Sequence, residues 1–296
     1  MTLHQLLNQG TGQLERAGDG EAGTDARRLL LEAFRLDTVH FLMNRMEPLE
    51  DTEAVAYAVQ DYRQMIDKRC RRMPLQYIVG SQEFMGLEFR VNRHVLIPRQ
   101  DTETLVELVL EEQKNPRRRV LDLCTGSGCI AVSLAVLGKF QDVTATDLSE
   151  EALKTAKNNQ ERLLEGRRIR FLQGDLFHAL RPGDTYDILT ANPPYIPTQI
   201  IKGLQPEVQN YEPLMALDGD QDGLCFYRRI AAEAGEWLNA GGCIYLEIGH
   251  DQAEAVSGLL KEAGFDKIKV IKDLPGKDRV VRAELTDKKE KGGSHV

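Results

Sequence analysis

Asn192-Pro193-Pro194-Tyr195 places a carboxamide, a stiff backbone carbonyl and an aromatic ring at one point of the chain. Proline fixes its own φ and keeps the residue before it extended, so Pro193 and Pro194 aim the Asn192 side-chain oxygen and the Pro193 carbonyl oxygen together. Two acceptors so aimed suit a planar NH2 group: each takes one hydrogen, and both stabilise positive charge as it develops on the nitrogen. Tyr195 can stack on the flat face of such a substrate and exclude water. An amide or ring amine is a weak nucleophile, so a reaction there needs a strong, well-placed electrophile, which points to an alkylating cofactor rather than a general base. The same four residues would also serve an ordinary proline-rich turn.

The elements that must position them lie on either side. Residues 186–191 read as a buried strand, which sets the four residues just past a strand's C-terminal end, where open α/β sheets bind ligands. Upstream, residues 119–123 form an apolar strand that runs into Cys124-Thr125-Gly126-Ser127-Gly128 and then an apolar helix over 129–137. Gly126 and Gly128 permit a tight turn and close ligand approach, and the helix N-terminus favours a negative group such as a carboxylate. About 20 residues on, the strand 142–146 ends in Asp147, placed as the ribose-binding acid of nucleotide folds. A third strand, 169–173, leads to Gly174-Asp175-Leu176, where an adenine would lie. Gly126-x-Gly128-x-x-Ala131 also fits the looser dinucleotide fingerprint. Asp122, suited to an ammonium group, and the amide-holding loop two strands further on favour S-adenosylmethionine over a dinucleotide. Helix capping by Asp122 and Asp147 and a structural role for the glycines are the alternatives for each residue alone.

With these motifs the chain resembles the peptide chain release factor glutamine methyltransferases, the PrmC or HemK family. The likeness extends to Pro74-Leu75-Gln76-Tyr77-Ile78-Val79-Gly80, Glu83-Phe84-Met85-Gly86, Val95-Leu96-Ile97-Pro98-Arg99 and Thr102-Glu103. It continues through Tyr211-Glu212-Pro213, Asp222-Gly223-Leu224, Leu246-Glu247-Ile248-Gly249 and Asp278-Arg279. Asn-Pro-Pro-Tyr itself is shared with methyltransferases of adenine and guanine amino groups, so it fixes the reaction and not the substrate. The resemblance implies methyl transfer from S-adenosylmethionine, leaving S-adenosylhomocysteine, to the side-chain amide of the glutamine in the Gly-Gly-Gln motif of class 1 release factors. On that analogy Asn192 and the Pro193 carbonyl hold the amide, with Pro194 and Tyr195 lining its slot. Cys124, Thr125, Gly126, Ser127, Gly128 and Asp147 then contact the cofactor, with Asp175, Leu176 and Asn192 beside it, and no metal takes part. Cys124 stands where the family more often has glycine, and Gln100 where it often has proline; a cysteine fits that loop if its φ is negative.

The net charge of −8 argues against strong non-specific nucleic-acid binding, which relies on phosphate neutralisation. The basic run Lys68-Arg69-Cys70-Arg71-Arg72 reads as a solvated helix end, with partner binding as the alternative. Five scattered cysteines without Cys-x-x-Cys or a His cluster read as buried free thiols in a reducing compartment. The N-terminus lacks the pattern of a signal peptide, and no apolar stretch approaches the roughly 18 residues of a membrane span. A cytoplasmic protein without membrane contact is expected.

Apolar stripes at helical spacing, such as Leu3, Leu6, Leu7 and Leu14 or Val55, Ala58, Val59, Tyr62 and Ile66, make residues 1–73 a small helical bundle, placed to grip a protein substrate. A linker over 74–100 carries a hairpin at 82–91. From 101 to 287 strands and helices alternate, which predicts an α/β domain with a mainly parallel sheet and a final antiparallel edge strand at 279–285. That order resembles the seven-stranded, Rossmann-like class I methyltransferase fold. Residues 196–222 read as a long loop over the substrate slot, and 288–296 as a disordered tail. Three rivals remain open: an amino-methyltransferase of adenine or guanine in nucleic acid, a dinucleotide-dependent dehydrogenase, and a non-enzymatic scaffold.

Overall fold

A computed structural model describes residues 1–286 and divides them into two compact units, and the tail expected at 288–296 lies outside the described residues. The first unit comprises residues 1–81 with 205–211, and the second holds the remainder.

The helical unit is built from Leu3–Arg16, Ala22–Phe34, Thr38–Asn44 and Glu53–Cys70, with a single turn at Leu75–Val79. Thr2, Asp37 and Thr52 cap three of these helices by accepting from a backbone N–H in the first turn. Their apolar stripes meet in one core around Leu6, Leu14, Leu29, Leu30, Tyr62 and Ile66. The basic run does not form a wholly solvated helix end. Arg69 is buried and pairs with Asp25 at 2.6 Å, Asp19 at 2.9 Å and Glu207 at 2.8 Å, because three acids distant in sequence converge on it. Arg72 also reaches Glu207, which belongs to the short helix Pro206–Tyr211 of this same unit.

The hairpin at the start of the second unit pairs β1 (Ser81–Phe84) with β2 (Leu87–Arg90). Met85 and Gly86 both take positive φ, the geometry that two-residue hairpin loops favour. Seven further strands follow: β3 (Arg119–Leu123), β4 (Asp142–Asp147), β5 (Arg170–Gln173), β6 (Tyr186–Ala191), β7 (Leu238–Glu247), β8 (Phe265–Lys272) and β9 (Asp278–Leu285). They form one sheet in the order β5-β4-β3-β6-β7-β9-β8, parallel from β5 to β7 and antiparallel at β9 and β8. Val120, Ile188 and Tyr245 pack into the core on one face, and Leu121, Leu189 and Ile244 into the core on the other. A sheet buried on both faces is what parallel pairing demands. The helices expected after position 100 are present, at Gln100–Glu112, Cys129–Leu137, Glu150–Leu163, Cys225–Trp237 and Ala253–Glu262.

The segment 196–222 is not a plain loop. It holds short helices at Thr198–Ile201 and Pro206–Tyr211 and a 3-10 turn at Leu214–Ala216, since Pro197, Pro206 and Pro213 each preset the φ from which a turn can start. Ile196 returns to pair with Asp218, so Thr198 and Asp220 stay close to the end of β6.

Asn159 ties the hairpin to the glycine turn. It is fully buried, accepts from the Arg90 N–H at 2.7 Å, and donates to the Arg90 carbonyl at 3.0 Å and the Ser127 carbonyl at 2.9 Å. Asn159→Ala strands these backbone groups and should lower stability by about 2–3 kcal/mol. Urea denaturation checks this; a loss below about 0.5 kcal/mol would mean that water or repacking satisfies them.

Candidate active site

Leu123 and Ala191 are register partners in the middle of the sheet, so Cys124 and Asn192 leave it side by side. Chain order also reverses here, with β4 and β5 on one side of β3 and β6 on the other. Such a reversal opens a crevice beyond the strand ends. Cys124, Thr125, Gly126 and Ser127 form one wall of this crevice, Asp147, Asp175 and Leu176 another, and Asn192 and Pro194 a third. Gly128, Pro193 and Tyr195 are not on the wall. Gly128 is set back at the helix start with φ 79°, where a Cβ would come within 3.0 Å of Ala156.

The glycine turn is stapled to β4. Thr125 N–H donates to the Thr146 carbonyl at 3.0 Å and Gly126 N–H to Asp147 Oδ2 at 2.8 Å. Ser149 N–H donates to Asp147 Oδ1 at 2.8 Å and the Leu148 N–H also favours the charged carboxylate, which still leaves lone-pair capacity for a ligand. Burial raises the Asp147 pKa, and these backbone donors oppose the rise. Nothing lies within 4 Å of the place where a Gly126 Cβ would stand, which leaves open space beside the turn.

Two expectations for this turn fail. Cys124 takes φ 55°, not a negative value, because the chain must turn sharply out of β3 for the next amide to reach Thr146. A left-handed non-glycine residue costs about 1–2 kcal/mol. Burial drives the Cys124 thiol well above its usual range and pushes Cys129 up to about 12, so both thiols stay protonated. Asp122 does not present a carboxylate to an ammonium group. It is fully buried and accepts from the Thr125 hydroxyl at 2.6 Å and the Thr190 hydroxyl at 2.8 Å, joining the turn to β6.

Asn192 Nδ2 donates to the hydroxyl of Thr102, 3.3 Å away. That bond occupies the nitrogen end of the amide and leaves Oδ1 as the free acceptor. Tyr195 packs against the core, with its hydroxyl 3.4 Å from Glu247 Oε1 and its carbonyl accepting from Gln252 Nε2 at 3.0 Å. Gln252 also accepts from Gly249 N–H and donates to the Gly223 carbonyl, so it clamps three loops. Gly223 has φ 74°, and a Cβ there would come within 2.3 Å of the Tyr195 carbonyl oxygen. Arg99 meets Glu212 at 2.6 Å, and Met85 N–H meets Glu103 at 2.6 Å. Thr102, Glu247, Gln252 and Phe226, which lines the crevice, carry no local motif that names them as site residues. The likeness segments Thr102-Glu103 and Leu246-Glu247-Ile248-Gly249 contain the first two, and no sequence signal marks Gln252 or Phe226. Pro213, Met215 and Asp218 bring the segment after β6 to the same crevice, as expected of it.

Fold and crevice together define a Rossmann-like class I methyltransferase. Residues 5–80 match the family model of the PrmC N-terminal domain, and residues 100–203 that of the methyltransferase small domain. The chain is 40% identical to a release factor glutamine methyltransferase of Clostridium botulinum over 96% of its own length and 99% of that protein. It is 42% identical to one from Geobacter sulfurreducens, over 96% of this chain and 97% of the other. A methyltransferase structure from Pyrococcus furiosus shares the fold at 19% identity and a TM-score of 0.52, covering 75% of this chain and 99% of that one. The chain belongs to the release factor glutamine methyltransferase family.

Burial raises the Asp122 pKa from 3.8 to about 7, against the pull of the two threonine hydroxyls. The neutral form is favoured in the fold, so the contribution of Asp122 to stability is complete below pH 3.8 and is lost as the pH rises through about 7. Asp122→Asn keeps an acceptor but cannot ionise. It should shrink the fall in urea midpoint between about pH 4 and 7 relative to the unsubstituted protein; an equal fall in both would assign the ionisation to another group.

Proposed function

We propose that this chain methylates the side-chain amide nitrogen of the glutamine in the Gly-Gly-Gln motif of class 1 peptide chain release factors, with S-adenosylmethionine as the methyl donor. One observation carries the reading: Asn192 stands on the wall of the crevice that the glycine turn also lines, with its nitrogen held by Thr102. The curated relatives, named release factor glutamine methyltransferase, support the substrate class.

The residues present fit the cofactor. Asp147 has lone pairs left for ribose hydroxyls, the space beside Gly126 is open to close approach, and Leu176 and Phe226 offer apolar faces to a purine. Cys124, Thr125 and Ser127 complete that wall, and Asp175 borders it, oriented by a 2.7 Å bond from Arg229. When bound, S-adenosylmethionine supplies an electrophilic methyl group on a sulfonium centre. Asn192 Oδ1 and the Pro193 carbonyl accept the two amide hydrogens of the glutamine, which orients the nitrogen lone pair and stabilises the charge that grows there. Pro194 walls the slot, and Tyr195, packed against the core with its hydroxyl at Glu247, supports the loop from behind. No group in this set has to act as a base before transfer, because the proton leaves a nitrogen that is already cationic.

Against a nucleic-acid substrate stands the charge of the crevice. Its wall includes Asp147, Asp175 and Asp218, while the guanidinium of Arg99 is committed to Glu212. A phosphate backbone would find few cations there. The helical unit exposes Val39, Leu42, Met43, Met46 and Tyr57, a surface suited to recognising a protein. The free cysteines accord with action in the cytoplasm.

Mass spectrometry of a release factor after incubation with the chain and cofactor should find one methyl group on the glutamine of Gly-Gly-Gln, and label transferred to RNA or DNA instead would reverse the reading. Asn192→Ala should lower kcat by about 10²-fold with little change in cofactor affinity. Asp147→Ala should instead weaken S-adenosylhomocysteine binding, by about tenfold for a lost charge-assisted hydrogen bond of about 1.4 kcal/mol. Calorimetric titration separates the two effects, and equal affinities for Asp147→Ala and the unsubstituted protein would remove Asp147 from the cofactor site.

A further inference from the structure

The loop that carries the two proposed acceptors is held at its far end by a buried side chain from a distant helix. We infer that Gln252 is a positioning residue for methyl transfer: by donating to the Tyr195 carbonyl it fixes the course of Pro193-Pro194, and with it the direction of the Pro193 carbonyl. The inference rests on the reading of that carbonyl as an acceptor of the substrate amide.

Pro193 and Pro194 have no N–H, so the middle of this loop has no backbone donor with which to tie itself to a neighbour. Its course is set by the two fixed proline φ angles, by the extended bias of a residue before proline, and by the places where its ends are held. One end leaves the sheet at Ala191, the register partner of Leu123. The other is Tyr195, whose carbonyl accepts from Gln252 Nε2 at 3.0 Å. With peptide planes rigid and φ locked, ψ of Pro193 is the torsion that aims its carbonyl, and the position of Tyr195 constrains that torsion. Releasing Tyr195 therefore loosens the Pro193 acceptor. The Asn192 amide keeps its separate anchor on Thr102.

Gln252 has the chemistry and the rigidity that this task requires. It immediately precedes the helix Ala253–Glu262, which buries Ala253, Val256 and Leu260 in the core, so the clamp stands on a fixed element. Its Oε1 accepts from the Gly249 N–H at 2.9 Å, which settles the direction of the amide and turns Nε2 to the carbonyls of Tyr195 and Gly223, at 3.0 Å and 3.3 Å. Two donors and one acceptor on a buried group are what a neutral carboxamide supplies and an ionised carboxylate of the same shape does not. The neighbouring glycines leave little slack. A Cβ at Gly223 would come within 2.6 Å of Gln252 Nε2, one at Gly249 within 3.0 Å of Oε1, and one at Gly219 within 2.8 Å of the Tyr195 Cα. A substrate N–H bond to the Pro193 carbonyl strengthens as the nitrogen becomes cationic, so a misaimed carbonyl costs more in the transition state than in the bound substrate. The loss therefore falls on kcat. The cofactor side of the crevice is stapled to β4 through Thr125 and Gly126 and does not depend on this clamp.

The test compares the unsubstituted enzyme with Gln252→Met and Gln252→Glu in methylation of a release factor at about pH 8.5, where a carboxyl is ionised. Calorimetric titration with S-adenosylhomocysteine counts the folded sites and gives their affinity. Gln252→Met keeps the length and loses all three bonds, whereas Gln252→Glu keeps the acceptor for Gly249 and loses only the donors. Both should lose about tenfold in kcat per folded site, with KM and S-adenosylhomocysteine affinity within about twofold. A Gln252→Glu enzyme with undiminished kcat overturns the inference, because the donor end would then be idle. So does a loss in Gln252→Glu that appears only as fewer folded sites or as weaker S-adenosylhomocysteine binding, which would make Gln252 a support of the fold alone. If Gln252→Met fails to fold, Gln252→Glu decides. An unsubstituted enzyme that binds S-adenosylhomocysteine but transfers no methyl group to release factor sinks the functional reading instead, and the inference falls with it.

Discussion

Leu123 and Ala191 lie opposite each other on parallel strands, about 4.8 Å apart as neighbouring strands are. The loops that follow them therefore start within reach of a single small ligand. The register is well determined, because β3 and β6 are buried on both faces and a slip by one residue would send every side chain into the wrong core. All else at the crevice follows from that adjacency. One loop is stapled to β4 through Thr125 and Gly126, and the other is clamped through Gln252 and the close approach of Gly223. Each is fixed before a ligand arrives, which is the condition under which dipoles stabilise a transition state without reorganising.

The fixed geometry carries a stability cost at identifiable points. Cys124 sits in a left-handed conformation, and Asp122 and Glu247 hold carboxyl groups that burial keeps well above their ordinary pKa. These three sit under or beside the crevice, and strain or buried charge concentrated at one place marks a working site more often than a structural one. Asp122 joins the glycine turn to β6 through two threonine hydroxyls, while Glu247 accepts from the Tyr195 hydroxyl.

Much of this was legible in the chain because it is local. The alternation of strand and helix patterns after position 100, the glycine turn, the acid ending β4 and the Asn-Pro-Pro-Tyr loop are runs of adjacent residues whose propensities agree with the final fold. The final strand was readable as antiparallel but not in its place: β9 is inserted between β7 and β8, and β8 forms the edge that was expected at 279–285. What escaped is what depends on distant partners. Arg69 reads as a helix-end cation until Asp19, Asp25 and Glu207 fold onto it. Asp122 reads as a ligand acid until Thr125 and Thr190 enclose it. Thr102 and Glu247 are 90 and 55 residues from Asn192 in the chain, and no spacing rule joins them. The positive φ of Cys124 escaped because cysteine has no propensity for it, and the turn imposes it all the same.

The most direct measurement of the central claim is a crystal structure of the enzyme with S-adenosylhomocysteine and a release factor domain carrying the Gly-Gly-Gln motif. The expected result places the glutamine amide nitrogen about 2.9 Å from both Asn192 Oδ1 and the Pro193 carbonyl oxygen, with its third direction open to the sulfur. A glutamine bound with its amide on other acceptors, or a cofactor seated away from the turn at Gly126, would contradict it.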